Sequence, residues 1–462
     1  MRFFSMRFLI LLWFTLGWMT AQGQLSSRLS AAMETFNTDA QLKYALSSLY
    51  VIEAETGKAV FDQNSNIGMA TASTEKIVTA ATAFDVLGKE YRYETRFGII
   101  NTPRGKSLYV DPSGDPTLAS WRWEETKDIA FLARLKAAIK EAGIKELNSI
   151  VIYTGNWGAE TIPDGWIWQD LGNYYGAGAQ AVNWRENQFD LVLKSGAALG
   201  SAVSVVKTIP HLYDYPITSL ATAAEKNSGD NSILYYPSMG RKTGVLTGTI
   251  PAGQTSFVVS GSIYDPANQF AKTVINSLKG VVRFSNDKVA TTDKEVKDVK
   301  WVYTNSSPEL SKIIYWFLRK SINLYGEALL RTVGLKEKGM ATTDNGIAAI
   351  QEHWKTRGVA PDALHLYDGS GLSPQNRITT GAQVAILKYA RQQSWFVDYY
   401  EGFPLYNDMK MKSGTINRVK GFSGYQKAKD GKEYIFSFLV NNYNGSALSL
   451  VRKMYKVLDE LK

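Results

Sequence analysis

"TASTEKIVTA", residues 71–80, contains a serine and a lysine three positions apart and runs directly into an apolar segment. The apolar segment continues to Leu87 and is followed by Gly88, which predicts a buried helix that ends at a glycine C-cap. Side chains three apart lie on the same face of a helix, so Ser73 and Lys76 would be neighbours. The pair is either a nucleophile with its base or only the first turn of a core helix.

Spacing does not separate these two interpretations, because Ser-x-x-Lys occurs twice more, at Ser204/Lys207 and Ser285/Lys288. The composition limits which catalytic groups the chain can use. The chain has no cysteine, three histidines and no His-Glu-x-x-His motif, so we expect no disulfide, no metal site and no cofactor. A lysine is then the natural candidate base for a serine nucleophile, in a chain whose histidines are His211, His353 and His365.

The length and charge of the chain set its broad class. At 462 residues it is long enough for more than one domain, and its apolar and charged fractions are ordinary for a globular protein. The net charge of +9 includes no run of lysine and arginine, so the sequence predicts no nucleic-acid-binding stripe.

Residues 1–23 predict an exported protein. Two arginines precede an apolar run from Phe8 to Met19, and Ala21 and Gly23 occupy the positions of a cleavage site before Gln24. The run is short for a membrane span, and no later segment reaches about 18 apolar residues. We expect a signal peptide and a periplasmic protein with at most peripheral membrane contact; a secreted or wall-associated protein is the alternative.

Strand patterns lie near both ends of the mature chain, with helical patterns between them. Residues 25–46 predict a helix, residues 49–64 a hairpin, and Asp430-Gly431 the turn of a second hairpin. Ser307 before a proline predicts the N-cap of another helix.

One economical arrangement joins the strands of both ends in a single antiparallel sheet flanked by helices, an α+β fold. Residues 24–90 and 291–462 would form this domain. Residues 91–290 would then be an insertion of one or two small domains, with a candidate subdomain near residues 156–240, which are rich in glycine and aromatic residues.

Ser73 is predicted to have the backbone environment that an acyl-transfer nucleophile needs. It lies where a loop enters a helix, so its own N–H is free to stabilise an oxyanion. A lysine with an ordinary pKa cannot accept a proton at neutral pH, but apolar neighbours and a second cation would lower the pKa of Lys76. The second cation has to come from elsewhere in the chain.

Two Lys-hydroxyl-Gly triplets could supply that cation. Lys242-Thr243-Gly244 has the commoner spelling, but it falls inside the predicted insertion. Lys412-Ser413-Gly414-Thr415 lies on a predicted C-terminal strand, where the glycine allows a substrate to approach the strand edge, so we choose Lys412. A third element, Ser321-Ile322-Asn323, is the only Ser-x-Asn in the chain.

The order Ser-x-x-Lys, Ser-x-Asn, Lys-Ser-Gly resembles the signature of penicillin-binding proteins and serine β-lactamases. Six segments match the D-alanyl-D-alanine carboxypeptidase/endopeptidase family more closely: "TASTEKIVTAATAFDVLG", "SGDPTL", "WIWQDLGNYYGA", "SINLYGEALLR", "YDGSGLSPQNR" and "MKSGTINRVKGFSGY". The chain resembles this family, the class C low-molecular-mass penicillin-binding proteins of the penicillin-binding protein 4 type, over most of its mature length. The resemblance implies a transpeptidase-like domain split by a long insertion.

The resemblance also implies roles for the matching residues. Ser73 would form an acyl-enzyme and Lys76 would take its proton. Ser321 would relay a proton to the leaving D-alanine, and Asn323 would orient the substrate and Lys76. The implied substrates are peptidoglycan stem peptides, with β-lactams as inhibitors.

Substrate binding would fall to Lys412–Thr415 and to Asp170. The ammonium of Lys412 and the hydroxyl of Thr415 would bind the terminal carboxylate. The N–H groups of Ser73 and Thr415 would form the oxyanion hole. Asp170, in "WIWQD", matches an aspartate that binds the free amine of the stem peptide's diamino acid in relatives; a loop-capping role is its alternative.

Four positions depart from the commonest family pattern: Ile322, Gly326, Pro374 and Ser413. All four spare the polar atoms to which the resemblance assigns a role.

The sequence therefore predicts a serine DD-peptidase that cleaves D-alanyl-D-alanine termini, and D-alanyl cross-links as a second activity. A β-lactamase and a non-catalytic penicillin-binding wall sensor are the alternatives. A class A β-lactamase would carry a Glu-x-x-Leu-Asn loop, which the segment around Glu186 does not match.

Overall fold

The computed structural model describes residues 24–237 and 242–462, so the predicted signal peptide lies outside the described residues. The chain divides into two compact units. The first comprises the segment that ends at Ala81, together with Gln351–Leu366 and Pro374–Lys462; the second comprises Thr82–Ile350 and Tyr367–Ser373. None of the helices in the described ranges is both long and apolar enough to cross a membrane.

The structure mixes helices with mostly short strands. The helices are α1 24–37, α2 Lys76–Leu87, α3 Asp128–Glu141, α4 Trp168–Leu171, α5 Pro266–Leu278, α6 Leu310–Lys320, α7 Asn323–Lys338, α8 Thr343–Lys355, α9 Thr380–Ala390, α10 Phe396–Gly402 and α11 Ala447–Leu458. The strands are β1 Leu46–Glu53, β2 Ala59–Gln63, β3 Glu94–Thr102, β4 Gly105–Asp111, β5 Glu146–Leu147, β6 Ile150–Tyr153, β7 Gln188–Ser195, β8 Val203–Ile209, β9 Ile217–Ser219, β10 Thr222–Ala224, β11 Ile233–Tyr235, β12 Gly244–Thr247, β13 Thr249–Pro251, β14 Phe257–Ser262, β15 Arg283–Phe284, β16 Val289–Thr292, β17 Lys300–Ser306, β18 Leu364–His365, β19 Arg377–Ile378, β20 Leu405–Tyr406, β21 Met409–Ile416, β22 Val419–Lys427 and β23 Glu433–Asn441.

The first unit is built on a six-stranded antiparallel sheet in the order β2-β1-β23-β22-β21-β20. Strand β1 pairs with β23 from Leu46 opposite Asn441 to Glu53 opposite Tyr434. The two ends of the chain therefore meet in one sheet, as the strand patterns predict. Strand β21 lies near the edge, because β20 covers only its residues Met409 and Lys410.

The two faces of this sheet carry different side chains, because successive strand residues point to opposite sides. Leu49 belongs to an apolar cluster that includes residues of α1 and α11, such as Leu29 and Leu450. The preceding Ser48 instead hydrogen-bonds through its Oγ to the Oγ1 of Thr380 on α9, at 2.7 Å. The terminal helices α1 and α11 thus pack on one face of the sheet through apolar side chains. Helix α9 lies on the other face, where a hydrogen bond joins it to β1.

The second unit contains a five-stranded mixed sheet in the order β16-β6-β4-β3-β17 and several smaller sheets. Its core includes Phe97 from β3, Phe131 from α3 and Phe270 from α5, which are buried against Trp184. Residues 156–236 contain the strands β7 to β11, the short helix α4 and connecting loops.

Two predicted boundaries are wrong. The first helix ends at residue 37 rather than 46, because Asp39 accepts the N–H of Gln41 and caps a separate 3-10 turn. Ser307 is not an N-cap: its hydroxyl donates to the carbonyl of Pro308, and α6 begins after Glu309. The division into residues 24–90 with 291–462 and an insertion of residues 91–290 stays a prediction.

Candidate active site

The first half of the candidate site lies at the start of α2. Ser73 is half-buried in a 3-10 turn, Ala72–Glu75, that leads into the helix. The Nζ of Lys76 is 2.9 Å from the Oγ of Ser73 and donates a hydrogen bond to it, and Lys76 itself is fully buried. A neutral amine in the same place would accept the serine proton, so the pair has the geometry of a nucleophile and its base.

The backbone around Ser73 is held by its neighbours. Ala72 has a φ of 46°, which is uncommon for a residue with a side chain and is sustained only by surrounding contacts. The hydroxyl of Thr74 donates to the carbonyl of Thr71 at 2.8 Å and accepts the side-chain amide of Gln383 at 3.0 Å. These contacts keep the 3-10 turn in place and leave the Ser73 side chain partly accessible.

Strand β21 lies against the same turn at Gly414. A Cβ on Gly414 would lie 2.5 Å from the carbonyl oxygen of Thr71 and 2.9 Å from the backbone N of Ser73, so only glycine fits. This close approach brings Lys412 and Thr415 to the turn that carries the serine. The choice of Lys412 as the second cation requires it to lie near the turn that carries Ser73 and Lys76.

The positive charge of Lys76 acts on Lys412, the residue predicted to supply the second cation. It is 1% exposed and its Nζ donates to the carbonyl of Ser413 at 2.8 Å. Burial, and then the positive charges of Lys76 and Lys420, hold the pKa of Lys412 well below its usual value. Two buried ammonium groups repel each other, which favours the loss of one proton from the pair.

Lys420 is a third lysine in this group, and the sequence interpretation did not single it out. Its Nζ donates to the Oγ1 of Thr415 at 2.7 Å, and burial lowers its pKa to about 8. Thr415 and Lys420 are directly opposite across β21 and β22. The two-residue loop between Ile416 and Val419 was the available signal, because loop length fixes which residues of a hairpin are paired.

The Ser-x-Asn motif lies in the second unit, at the junction of two helices. Ser321 ends α6 with a left-handed φ of 58°, and Asn323 begins α7. The Nδ2 of Asn323 donates to the carbonyl of Tyr175 at 2.8 Å. The motif is therefore connected to the segment that follows α4.

Asp170 lies on α4, close to that segment. Burial raises the pKa of Asp170, and a hydrogen bond with the Tyr175 side chain opposes the shift. The same burial and the nearby carboxylate raise the pKa of Tyr175 to about 12. Asp170 and Asn323 therefore contact the same tyrosine. Asp170 hydrogen-bonds to the side chain of Tyr175, and Asn323 hydrogen-bonds to its backbone carbonyl.

Glu186 is fully occupied by a polar network. Its Oε1 accepts from Ser120 at 2.6 Å, from Arg122 at 2.7 Å and from the Tyr325 hydroxyl at 2.7 Å. Its Oε2 accepts from Arg122 at 2.9 Å. Because both oxygens already accept hydrogen bonds from protein donors, this carboxylate has a structural role and is not placed to activate water.

A buried acid pair near α7 is a further feature that the sequence interpretation missed. Both oxygens of Glu327 accept the N–H of Gly369, at 3.2 and 3.1 Å. Asp368 accepts the indole N–H of Trp166 at 2.8 Å and the backbone N–H of Ser373 at 2.6 Å. Burial and the charge of Asp368 raise the pKa of Glu327 to about 8. The Glu327–Gly369 and Asp368–Trp166 contacts join residues 42 and 202 positions apart, so no spacing signals them.

The rejected candidates occupy other places. Lys242 is exposed in the second unit, just before β12, whereas Lys412 belongs to the unit that contains Ser73. Ser204 and Lys207 are exposed on β8, in the second unit, whereas Ser73 lies in the first. Among the described residues, no group of three or more histidine, cysteine, aspartate or glutamate side chains could hold a metal ion.

Comparison with known proteins extends over nearly the whole chain. The model of the D-Ala-D-Ala carboxypeptidase 3 (S13) family matches residues 29–460. The chain is 25% identical to a D-alanyl-D-alanine carboxypeptidase of Actinomadura sp. (strain R39), covering 92% of this chain and 83% of that protein. It is 23% identical to the D-alanyl-D-alanine carboxypeptidase DacB of Haemophilus influenzae, covering 83% of each.

A solved structure shows the same fold. The crystal structure of penicillin-binding protein 4 from Haemophilus influenzae superposes with a TM-score of 0.79 at 19% identity, covering 93% of this chain and 98% of that one. A second structure of that protein, in complex with a β-lactam, gives a TM-score of 0.72 at 18% identity, with the same coverage. The expected α+β fold, a transpeptidase-like domain with a large inserted region, is confirmed.

Proposed function

Since the chain belongs to the D-Ala-D-Ala carboxypeptidase 3 (S13) family and is a serine-type DD-peptidase, we propose that Ser73 is its nucleophile and Lys76 its base. The observation that carries the proposal is the 2.9 Å contact between the Lys76 Nζ and the Ser73 Oγ, next to the buried Lys412. A second cation lowers the proton affinity of the lysine pair, which a base needs at neutral pH.

The proposed reaction has two acyl-transfer steps. The Oγ of Ser73 attacks the carbonyl carbon between the two D-alanines, and Lys76 takes the serine proton. The C–N bond then breaks, and the amine of the leaving D-alanine receives a proton through Ser321, the role that the resemblance assigns to it. Water hydrolyses the acyl-enzyme: its oxygen goes to the peptide carbonyl and a proton returns to Ser73.

Substrate binding would use the β21 hairpin. The N–H groups of Ser73 and Thr415 would stabilise the oxyanion, and Lys412 and the Thr415 hydroxyl would bind the terminal carboxylate. Within the described ranges, β21 pairs with no other strand beyond Lys410 on its outer side, which leaves an edge for an extended peptide. Asn323 would orient the substrate, and Asp170 would bind the amine of the stem peptide.

The substrates would be peptidoglycan stem peptides, with β-lactams as inhibitors. Cleavage of D-alanyl cross-links uses the same acyl-enzyme, because only the leaving amine differs. The expected signal peptide agrees with such a substrate, since residues 1–23 would direct the enzyme to the periplasm.

A β-lactamase is the weaker candidate. It needs a base that activates water for rapid deacylation, and Glu186 is already held by Ser120, Arg122 and Tyr325. A non-catalytic sensor would not need Lys76 within hydrogen-bonding distance of Ser73.

Incubation with purified muropeptides, monomeric and cross-linked, tests the proposal. Release of D-alanine from pentapeptide monomers is expected, and conversion of cross-linked dimers to monomers would establish the second activity. A Ser73→Ala chain that still released D-alanine would contradict the assignment of the nucleophile.

A further inference from the structure

Lys420 is a buried cation whose hydrogen-bond partner is neutral. Its side chain is 9% exposed, and its Nζ lies 2.7 Å from the Thr415 Oγ1 and 4.8 Å from the centre of the Phe422 ring. No carboxylate among the described residues offsets its charge, and burial alone lowers its pKa to about 8. Buried ammonium groups are normally paired with an anion, so this position is suited to an anion that arrives with a ligand.

The backbone fixes the lysine opposite the threonine. Thr415 and Lys420 are Cα partners in the β21–β22 hairpin, and Ile416 and Val419 close a two-residue loop. Arg418 in that loop has a φ of 57°, as the second position of such a tight turn often requires. Because the loop length sets the register, the Lys420 side chain cannot move to another partner without changing the hairpin.

The chemistry of the contact sets the direction of the threonine hydroxyl. At pH 7 an amine with a pKa of about 8 is mostly protonated, and an ammonium group has three donors and no acceptor. The Oγ1 of Thr415 must therefore accept from Lys420, which leaves its own O–H to donate elsewhere. Thr415 is exposed, so a ligand can receive that hydrogen bond.

We infer that Lys420 is a positioning residue that holds the Thr415 hydroxyl as a donor for the terminal carboxylate of the substrate. The inference rests on the proposed function and adds a residue to it. In this arrangement Lys420 acts through Thr415 and contributes to the selection of peptides that end in a free carboxylate. A charge-assisted hydrogen bond from Thr415 is stronger toward a carboxylate than toward a neutral carboxamide.

The test compares two substrates that differ only at the C-terminus. One is an N-acylated peptide ending in D-Ala-D-Ala, and the other is the same peptide with a C-terminal carboxamide. The wild-type chain is expected to prefer the free acid in kcat/KM. Lys420→Met, which keeps most of the length of the side chain, is expected to raise KM for the acid about 10- to 100-fold with little change in kcat, and to leave the carboxamide nearly unaffected.

Further variants separate positioning from a purely structural role. Lys420→Arg keeps a cationic donor and is expected to retain most of the preference for the acid. Thr415→Val removes the acceptor, and Lys420→Met added to Thr415→Val is expected to have little further effect, because the lysine acts through the threonine. Lys427→Met, at the exposed end of the same strand, is the matched control and is expected to match the wild type.

The outcomes distinguish this inference from the proposed function. A wild-type chain that releases D-alanine from neither substrate would refute both. A wild-type chain that prefers the acid, with a Lys420→Met variant that keeps this preference, would refute the inference alone. An equal loss of kcat on both substrates would also refute it. Should Lys420→Met fail to fold, loss of the preference in Lys420→Arg contradicts the inference, and its retention there together with loss in Thr415→Val supports it.

Discussion

The lysines of the β21–β22 hairpin and the carboxyl groups beside α7 are both buried, but burial moves their pKa values in opposite directions. The pKa of Lys412 lies well below its usual value, and that of Glu327 rises to about 8. Desolvation disfavours the charged form of either group, so the amine tends to lose a proton and the acid tends to keep one. Burial therefore favours a base in the hairpin and a neutral hydrogen-bonding group beside α7.

The neighbours of these groups show a second difference. Around Lys412 the nearby charges are cations, Lys76 and Lys420, which lower its pKa further. Beside Glu327, the charge of Asp368 is held by N–H groups, and Arg331 partly offsets the two acids. The acid pair is satisfied by the protein, whereas Lys420 has a neutral partner. We therefore expect the hairpin to receive an anion, whereas the acid pair holds a loop.

The largest loss of activity should follow from substitution of Ser73, the proposed nucleophile beside the hairpin lysines. Penicillin mimics the D-Ala-D-Ala amide, so a fluorescent penicillin should label a tryptic peptide containing Ser73. Ser73→Ala should abolish the label and lower D-alanine release by about 10⁴-fold or more, as loss of one member of a catalytic unit does. The measurements are gel fluorescence with peptide mapping, and a D-alanine assay.

Ser204→Ala is the control, because Ser204 has the same Ser-x-x-Lys spacing on an exposed strand. It should keep both labelling and activity. Labelling that survives Ser73→Ala would show that the hairpin lysines do not lie beside the nucleophile. Rapid turnover of penicillin without a stable adduct would instead identify a β-lactamase.

Lys412→Ala should be the next largest effect, because it removes the second cation beside Lys76. We expect kcat/KM to fall by about 10³-fold, with a smaller loss for Lys412→Arg, which restores the charge. Steady-state kinetics on a D-Ala-D-Ala peptide measures this. Lys242→Ala is the control and should be close to wild type, since Lys242 is exposed in the second unit. The reverse result would overturn the choice between the two lysine triplets.

Part of the site could be predicted from the sequence. That part depends on the spacing and periodicity of residues close together in the chain. The spacing of Ser73 and Lys76 on a helix predicts their proximity, and the structure gives 2.9 Å between the two side-chain atoms. The strand patterns at both ends predict a joint sheet, and β1 pairs with β23 as expected. Periodicity and spacing are local properties, so one sequence is enough to show them.

The other features depend on pairing between distant segments or on register. Lys420 comes two residues after the hairpin loop at Asn417-Arg418, and its partner Thr415 is identified only once the register of that hairpin is known. The contact between Glu327 and Gly369 joins residues 42 positions apart. Gly326 is explained by the same approach, because a Cβ there would lie 2.7 Å from the carbonyl oxygen of Gly369. No residue pattern indicates such contacts in advance.

A smaller effect is expected at Asp170, which is only half-buried, unlike the fully buried Glu327. Asp170→Asn should raise KM about tenfold for a stem peptide with a free side-chain amine, because a charged hydrogen bond is lost. The same peptide with its amine acetylated should be unaffected. Asp164→Asn, in the exposed loop just before α4, is the control. Equal effects of Asp170→Asn on both peptides would favour the loop-capping role.

The smallest effect concerns stability and tests the acid pair directly. A carboxyl group whose folded pKa lies above its unfolded value binds more protons in the folded state, so stability falls as pH rises between the two values. For Glu327 this window runs from the usual glutamate pKa of 4.5 to about 8. Glu327→Gln cannot ionise, so its stability relative to the wild type should improve as pH rises from 5 to 8.

Denaturant unfolding at several pH values measures that difference, which changes by at most about 1.4 kcal/mol per pH unit for one group. Glu337→Gln is the matched control, because Glu337 is an exposed glutamate of the same helix. Its stability relative to the wild type should stay constant over the same range. If Glu327→Gln and the wild type gave parallel curves, Glu327 would be ionised in the folded chain at neutral pH. The contrast between a region where burial lowers the pKa of amines and one where burial raises the pKa of acids would then be lost.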